Sequence, residues 1–94
     1  MKARNAAQVK KFRDIPNVGP RVEGDFKTLG IKTPEELAKR TGLDLYQKLC
    51  KATHSRQDLC VLDTFIAVVD FMNGAPAAPW WFYTEERKKR YPDI

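Results

Sequence analysis

The chain has 94 residues, with 17 Lys or Arg against 12 Asp or Glu and a net charge of +5. That length supports one domain around a single modest hydrophobic core and excludes a separate catalytic domain and most two-substrate enzymes. The opening residues lack an apolar signal region, and no run approaches the ~20 apolar residues of a membrane span, so a cytoplasmic protein is expected. Residues 1–30 hold seven basic against three acidic residues, leaving them at +4 and the rest of the chain at +1. A local basic excess is what a sequence-independent contact with nucleic acid needs, although an ordinary solvated surface has the same composition.

In chain order, Val9, Phe12 and Ile15 put one apolar stripe on a first predicted helix over Ala3–Arg13, which Pro16 ends. A second helix is expected over Pro20–Leu29, with Val22, Phe26 and Leu29 inward and Gly30 as its left-handed cap. Gly24 costs that helix about 1 kcal/mol of propensity, and close approach of the first helix is the expected compensation. Thr33-Pro34-Glu35-Glu36 reads as a capping box that opens a short helix ending near Gly42. A fourth helix over Leu43–Thr53 turns Leu45, Tyr46, Leu49 and Cys50 inward. Asp58 caps a fifth helix reaching about Asn73, whose core stripe is Leu62, Phe65, Ile66, Val69 and Met72. Asp63, Ala67 and Asp70 mark its one wet face, and its other apolar residues make it the central, most buried element. Gly74 to Pro79 is a stiff loop before Trp80-Trp81-Phe82-Tyr83, and a last helix from Thr84 places Glu85 and Glu86 in its first turn and Arg87 to Arg90 in its last, matching the helix dipole. No alternation long enough for a sheet and no internal repeat occurs.

The segment Ile15-Pro16-Asn17-Val18-Gly19-Pro20-Arg21-Val22 reads as a hairpin that holds phosphate. Gly19 admits φ > 0, Pro20 presets the first helical turn, and the amides beyond it are free to meet an anion. This segment and its continuation Gly30-Ile31-Lys32-Thr33-Pro34-Glu35-Glu36-Leu37 resemble the helix-hairpin-helix motif of DNA polymerases, ligases and repair nucleases. Two positions depart from that pattern. Asn17 stands at the first hairpin glycine, where Asn tolerates the left-handed region, and Glu23 brings a carboxylate close to the phosphate site. The resemblance implies duplex backbone binding. It also implies a K⁺ or Na⁺ seat on the carbonyls of Arg13, Ile15 and Val18.

Over nearly its whole length the chain also resembles the small bacterial pathogenicity-locus family, often labelled mitomycin resistance proteins. The residues carrying that likeness are Ile15 to Pro20, Leu45 to Cys50, Gln57 to Phe65 and Pro79 to Thr84. The resemblance implies a fold of the helix-hairpin-helix, SAM-like type and no established activity.

Other constellations are weaker. Leu62-Asp63-Thr64-Phe65 is similar to the catalytic aspartate segment of helix-hairpin-helix DNA glycosylases, but Asp63 follows Arg21 by 42 residues with two helices between. Arg21, at the position of a nucleophilic lysine in some of those enzymes, stays protonated. Cys50, His54 and Cys60 supply three soft ligands where structural zinc needs four, so both thiols are expected on apolar faces, reduced and metal-free, with His54 in a surface loop. The aromatic run beside Arg87-Lys88-Lys89-Arg90 is either a stacking platform or core, and at least one of Trp80 and Trp81 is expected in the core.

The expectation is therefore a single all-α domain over 1–94, a bundle of about five helices with its core at 5–83 and a basic tail at 84–94. Its expected function is non-enzymatic and sequence-independent: the amides of Asn17, Val18, Gly19, Arg21 and Val22 grip duplex DNA, and Lys10, Lys11, Arg13, Lys27 and Lys32 supply field. No catalytic residue, small-molecule substrate or membrane is implied. The alternative is a protein-interaction adaptor in which the hairpin only packs. An exposed aromatic patch at 80–83 favours the adaptor, and a basic, apolar-poor surface at Gly19 favours DNA.

Overall fold

The computed structural model describes residues 2–94. The four α-helices are α1 (Pro20–Thr28), α2 (Gly42–Thr53), α3 (Leu59–Met72) and α4 (Thr84–Arg90), joined by 3-10 segments at Ala6–Gln8, Phe12–Asp14, Pro34–Lys39 and Trp80–Tyr83. The described residues form an all-α domain with no strand. Counting the six-residue 3-10 segment at Pro34–Lys39, five helical segments have six or more residues. None is long and apolar enough to cross a membrane.

α3 is the axis of the fold, and ten of its residues are buried. It packs against α2, the 3-10 segment at Pro34–Lys39, the aromatic turn at Trp80–Tyr83 and α4. The α2 crossing is tight. A Cβ on Gly42 would lie 2.7 Å from the backbone nitrogen of Ile66, so only glycine lets the start of α2 reach α3. Thr41 makes a true N-cap there, its Oγ1 accepting from the Asp44 amide at 3.1 Å. A line of rings, Phe12 to Phe26 to Phe65 with centroids 5.4 and 5.6 Å apart, ties the N-terminal segment through α1 to α3.

The helix expected over Ala3–Arg13 is absent, and two 3-10 turns replace it. The cause is local competition for amides. Asp14 Oδ2 accepts from the amides of Lys10 and Lys11 at 3.0 and 3.1 Å, and Gln8 Oε1 accepts from Arg4 N at 2.8 Å. Side chains thus take donors that an α-helix would bond to carbonyls. Val9, Phe12 and Ile15 are nevertheless buried, because the turns keep the same face inward. Without that helix nothing approaches Gly24, which is exposed with open space around its Cα, so its propensity cost has no packing compensation.

Gly30 is left-handed at φ 76°, and the amides of Gly30 and Ile31 close on Lys27 O and Phe26 O, as the capping pattern requires. The expected capping box at Thr33 does not form. The Glu36 carboxylate accepts from Lys32 N at 3.3 Å, the Thr33 side chain caps nothing, and the segment is 3-10 rather than α. His54 ends α2 in the left-handed region at φ 53° and is exposed, a cap the sequence reading placed only as a loop residue.

The wet face assigned to α3 is also overturned. Ala67 is buried, and Asp63, only 1% exposed, lies within the domain. Asp63 accepts from Arg87 Nε at 2.8 Å, Arg87 Nη2 at 3.4 Å and Thr84 Oγ1 at 2.9 Å. All three donors come from α4, so the basic end of the chain is docked on the core by a buried ion pair, with Tyr91 and Ile94 packed beside it. The Asp63 carboxylate holds the Arg87 guanidinium still more firmly protonated.

Candidate functional site

The hairpin turns between Ile15 and Gly19, closed by Val18 N donating to Ile15 O at 3.1 Å. Its left-handed residue is Asn17, at φ 74°. Gly19 is extended, at φ −106° and ψ −168°, as the N-cap of α1. The φ > 0 expected of Gly19 is therefore supplied two residues earlier by Asn17, and any residue adopts the backbone of position 19. The left-handed tolerance read for Asn17 is used, and the φ > 0 read for Gly19 is not.

Of the five expected amide donors, that of Val18 is bonded within the turn, and those of Asn17, Gly19, Arg21 and Val22 meet no acceptor among the described residues. Val18 N is already given to Ile15 O, and its side chain is buried, so Val18 offers nothing outward. Glu23 N takes Gly19 O at 3.0 Å as the first bond of α1. Pro20 has no N–H, which leaves the amides of Arg21 and Val22 as orphans of the first turn, with the Arg21 side chain exposed beside them.

The charges around the turn are also redistributed. Arg13 Nε binds Glu23 Oε1 at 3.0 Å, so the carboxylate that departs from the hairpin pattern is neutralised and Arg13 is spent doing it. Lys10 and Lys11 are exposed and share their segment with Asp14, whose carboxyl the two lysine amides hold below the usual range. Lys27 and Lys32 are exposed at the far end of α1, about 10 Å or more from its N-terminus at 1.5 Å per residue, near the screening length of physiological salt.

The proposed cation seat is engaged by a side chain. Lys2 Nζ donates to Arg13 O at 2.6 Å and to Val18 O, while Ile15 O accepts the Val18 amide. All three carbonyls of the expected K⁺ or Na⁺ seat thus already accept from N–H groups of the chain itself. Ala3 N donates to Asp14 O at 2.7 Å and holds the N-terminal segment in place for Lys2.

Asn17 does more than turn the chain. Its Nδ2 donates to Ala78 O at 2.8 Å and its Oδ1 accepts from Trp80 N at 3.1 Å, clasping the proline-rich loop to the hairpin across more than sixty residues of sequence. Between these two segments and α3 lies an open cavity of about 200 Å³, with Arg21, Val22 and Asp25 of α1 on one side and Cys60, Thr64 and Trp80 on the other. Asp25 Oδ2 is sealed from solvent and has no hydrogen-bond partner. Burial pushes the Asp25 carboxyl up, against the pull of the nearby Arg21 charge. Sequence reasoning missed Asp25, because its isolation depends on a loop that arrives from residues 78–80.

The aromatic run separates by residue. Tyr83 is core, Trp80 is half-buried at the cavity, and Trp81 and Phe82 are 64% and 71% exposed. The expectation of a core indole is corrected, since Tyr83 takes that place. Cys50 and Cys60 are free, half-buried thiols, and Gln57 N donates to Cys50 Sγ at 3.4 Å.

No solved structure matches the chain significantly. The chain is 42% identical to the "Mitomycin resistance protein McrB" of Streptomyces lavendulae over 75 residues, which cover 80% of this chain and 71% of that protein. The family model described as pathogenicity locus (Cdd1) matches residues 5–89. A match of that extent, over the hairpin, the buried α3 and most of the α4 that docks on it, makes this chain a member of the pathogenicity locus family.

Proposed function

We propose that the protein is a non-enzymatic module of the cytoplasm that binds nucleic-acid backbone at the N-terminus of α1, without reading sequence. The observation that carries this reading is the pair of unpartnered first-turn amides at Arg21 and Val22 beside an exposed arginine, on a surface where Glu23 is already neutralised by Arg13. Phosphate is the anion such a site holds, and it is the same at every base step. The turn therefore stands in the role of the hairpin in a helix-hairpin-helix element, with two 3-10 turns in place of the first helix.

A salt-resolved titration with a mixed-sequence duplex tests this. Engagement of about three phosphates gives a slope of log K against log[salt] near −3, and Arg21→Glu removes most of the binding while leaving the helical signal intact. Absence of binding at low salt, or full binding by the folded Arg21→Glu variant, overturns the reading. Survival in mitomycin of a sensitive bacterium expressing the chain tests whether the property in the Streptomyces relative's name extends to this protein.

A second reading, a protein-interaction adaptor, draws on the exposed Trp81 and Phe82, which form the one place where large apolar side chains face solvent among the described residues. If the wild type ignores DNA and a Trp81→Ser, Phe82→Ser variant changes only its association behaviour in sedimentation, the adaptor reading replaces the first.

A further inference from the structure

The cavity between the hairpin and the proline-rich loop has apolar walls and an aromatic ring that the hairpin itself holds in place. Asn17 Oδ1 accepts from Trp80 N at 3.1 Å and Asn17 Nδ2 donates to Ala78 O at 2.8 Å, so the loop carrying Trp80 is set against the hairpin before any ligand arrives. Trp81 packs on that indole edge-on, with centroids 5.6 Å apart and planes at 87°. Val22 and Val61 add apolar walls from α1 and α3. The polar side chains beside them are spent within the protein. Both ends of the Asn17 amide are on the clasp, the Thr64 hydroxyl donates to Cys60 O at 2.8 Å, and Asp25 Oδ2 is sealed from solvent. The cavity therefore offers a flat ligand contact area and a ring to stack on.

Size and charge choose among flat ligands. An enclosed apolar cavity of about 150 Å³ takes one benzene ring, so about 200 Å³ open on one side takes a one- or two-ring group. Arg21 is exposed at the same cavity, and Arg21 and Val22 carry the two unpartnered amides of the first turn of α1. Asp25 lies one turn further along α1, about 6 Å from those amides at 1.5 Å per residue, so an anion meets the cationic end of this wall first. A turn that holds phosphate and a cavity that holds a ring thus share two residues, and a nucleotide joins those two groups in one unit.

We infer that the cavity seats the base of one unpaired nucleotide of a nucleic-acid strand, without choice among the bases, beside the backbone grip at the first turn of α1. This rests on the nucleic-acid reading above and names the form of nucleic acid that the site takes. Every base has a π face, so a stacking seat is as indifferent to sequence as the phosphate contact next to it. An intact duplex, whose bases are paired and stacked on one another, engages only the backbone contact.

The test titrates the full chain, at one salt concentration, with a mixed-sequence single strand, with a strand of equal length made entirely of abasic units, and with an intact duplex. The base-bearing strand is expected to bind about tenfold more tightly than the abasic one, the size of one base stacked on an aromatic side chain. Trp80→Leu keeps the backbone N–H that Asn17 holds and removes the ring. It brings the two strands within about twofold of each other and leaves abasic-strand binding, duplex binding and the circular dichroism spectrum unchanged. Trp81→Phe makes Trp80 the sole indole, whose emission the base-bearing strand quenches and the abasic strand does not. Equal affinities of the two strands for the wild type, or an unquenched Trp80, overturn the base seat. So does a preference that survives in Trp80→Leu, the result of stacking on the exposed Trp81 and Phe82 instead. Duplex binding without a preference for the base-bearing strand removes the seat and keeps the backbone grip. A base preference in a protein that binds neither the duplex nor the abasic strand removes the grip and keeps the seat.

Discussion

Two aspartates on neighbouring helices have opposite surroundings. Asp63, at the centre of α3, accepts three hydrogen bonds from Arg87 and Thr84 and anchors α4. Asp25, on α1, faces a cavity with a sealed oxygen that nothing in the chain satisfies. A fully partnered buried carboxylate stabilises the architecture, and a sealed oxygen without a donor is a cost that the fold carries. The difference separates the half of the molecule that holds the fold from the half that offers a surface. The sequence reading places Asp63 on a wet helix face and gives Asp25 no role, so neither environment is legible from it.

The largest effect is expected from removing Asp63. Asp63→Ala leaves Arg87 charged, buried and unpaired, and is expected to cost about 3–5 kcal/mol in chemical denaturation, releasing α4. The double variant Asp63→Ala, Arg87→Met recovers much of that loss. A single-variant cost under about 1 kcal/mol would show that the pair is incidental.

An intermediate effect is expected at the clasp. Asn17→Gly keeps the left-handed backbone available and removes only the bonds to Ala78 O and Trp80 N, so stability falls by roughly 1 kcal/mol. Trp80 emission should shift to the red as its loop loosens. An unchanged emission maximum would mean that the proline-rich loop is held by other contacts.

The smallest effect sharpens the other side of the comparison. Burial raises the folded-state pKa of Asp25, so its penalty is absent at low pH, where both states are protonated, and grows as pH rises through its unfolded and then its folded value. Asp25→Asn should therefore be more stable than wild type at pH 7, by less than about 1 kcal/mol because water still reaches part of the carboxyl, with the gain vanishing below about pH 3.5. A variant less stable than wild type at pH 7 would show that Asp25 has a structural partner.

Periodicity alone located the fold's main elements. The mostly apolar run at 59–72 is the central helix, the stripe of Leu45, Tyr46 and Leu49 is the inner face of α2, and Pro20 and Gly30 bracket α1 as their backbone preferences demand. These are local properties, because one helix's side chains and caps lie within a few residues of each other. What failed is equally physical. The spacing of the N-terminal stripe says which face is buried and nothing about whether Asp14 and Gln8 capture the amides first.

Helical class, the apolar core stripes and the turn at 15–19 are legible in the chain alone, since burial pattern and turn residues act over short separations. Only the tertiary structure decided which carboxylate is satisfied. Asp63 meets Arg87 across 24 residues, Asn17 meets Trp80 across 63, and Lys2 reaches the carbonyl of Val18 across 16. Each of these contacts depends on where a distant segment docks, and a polar side chain's partner sets whether it stabilises the fold or is a cost to it.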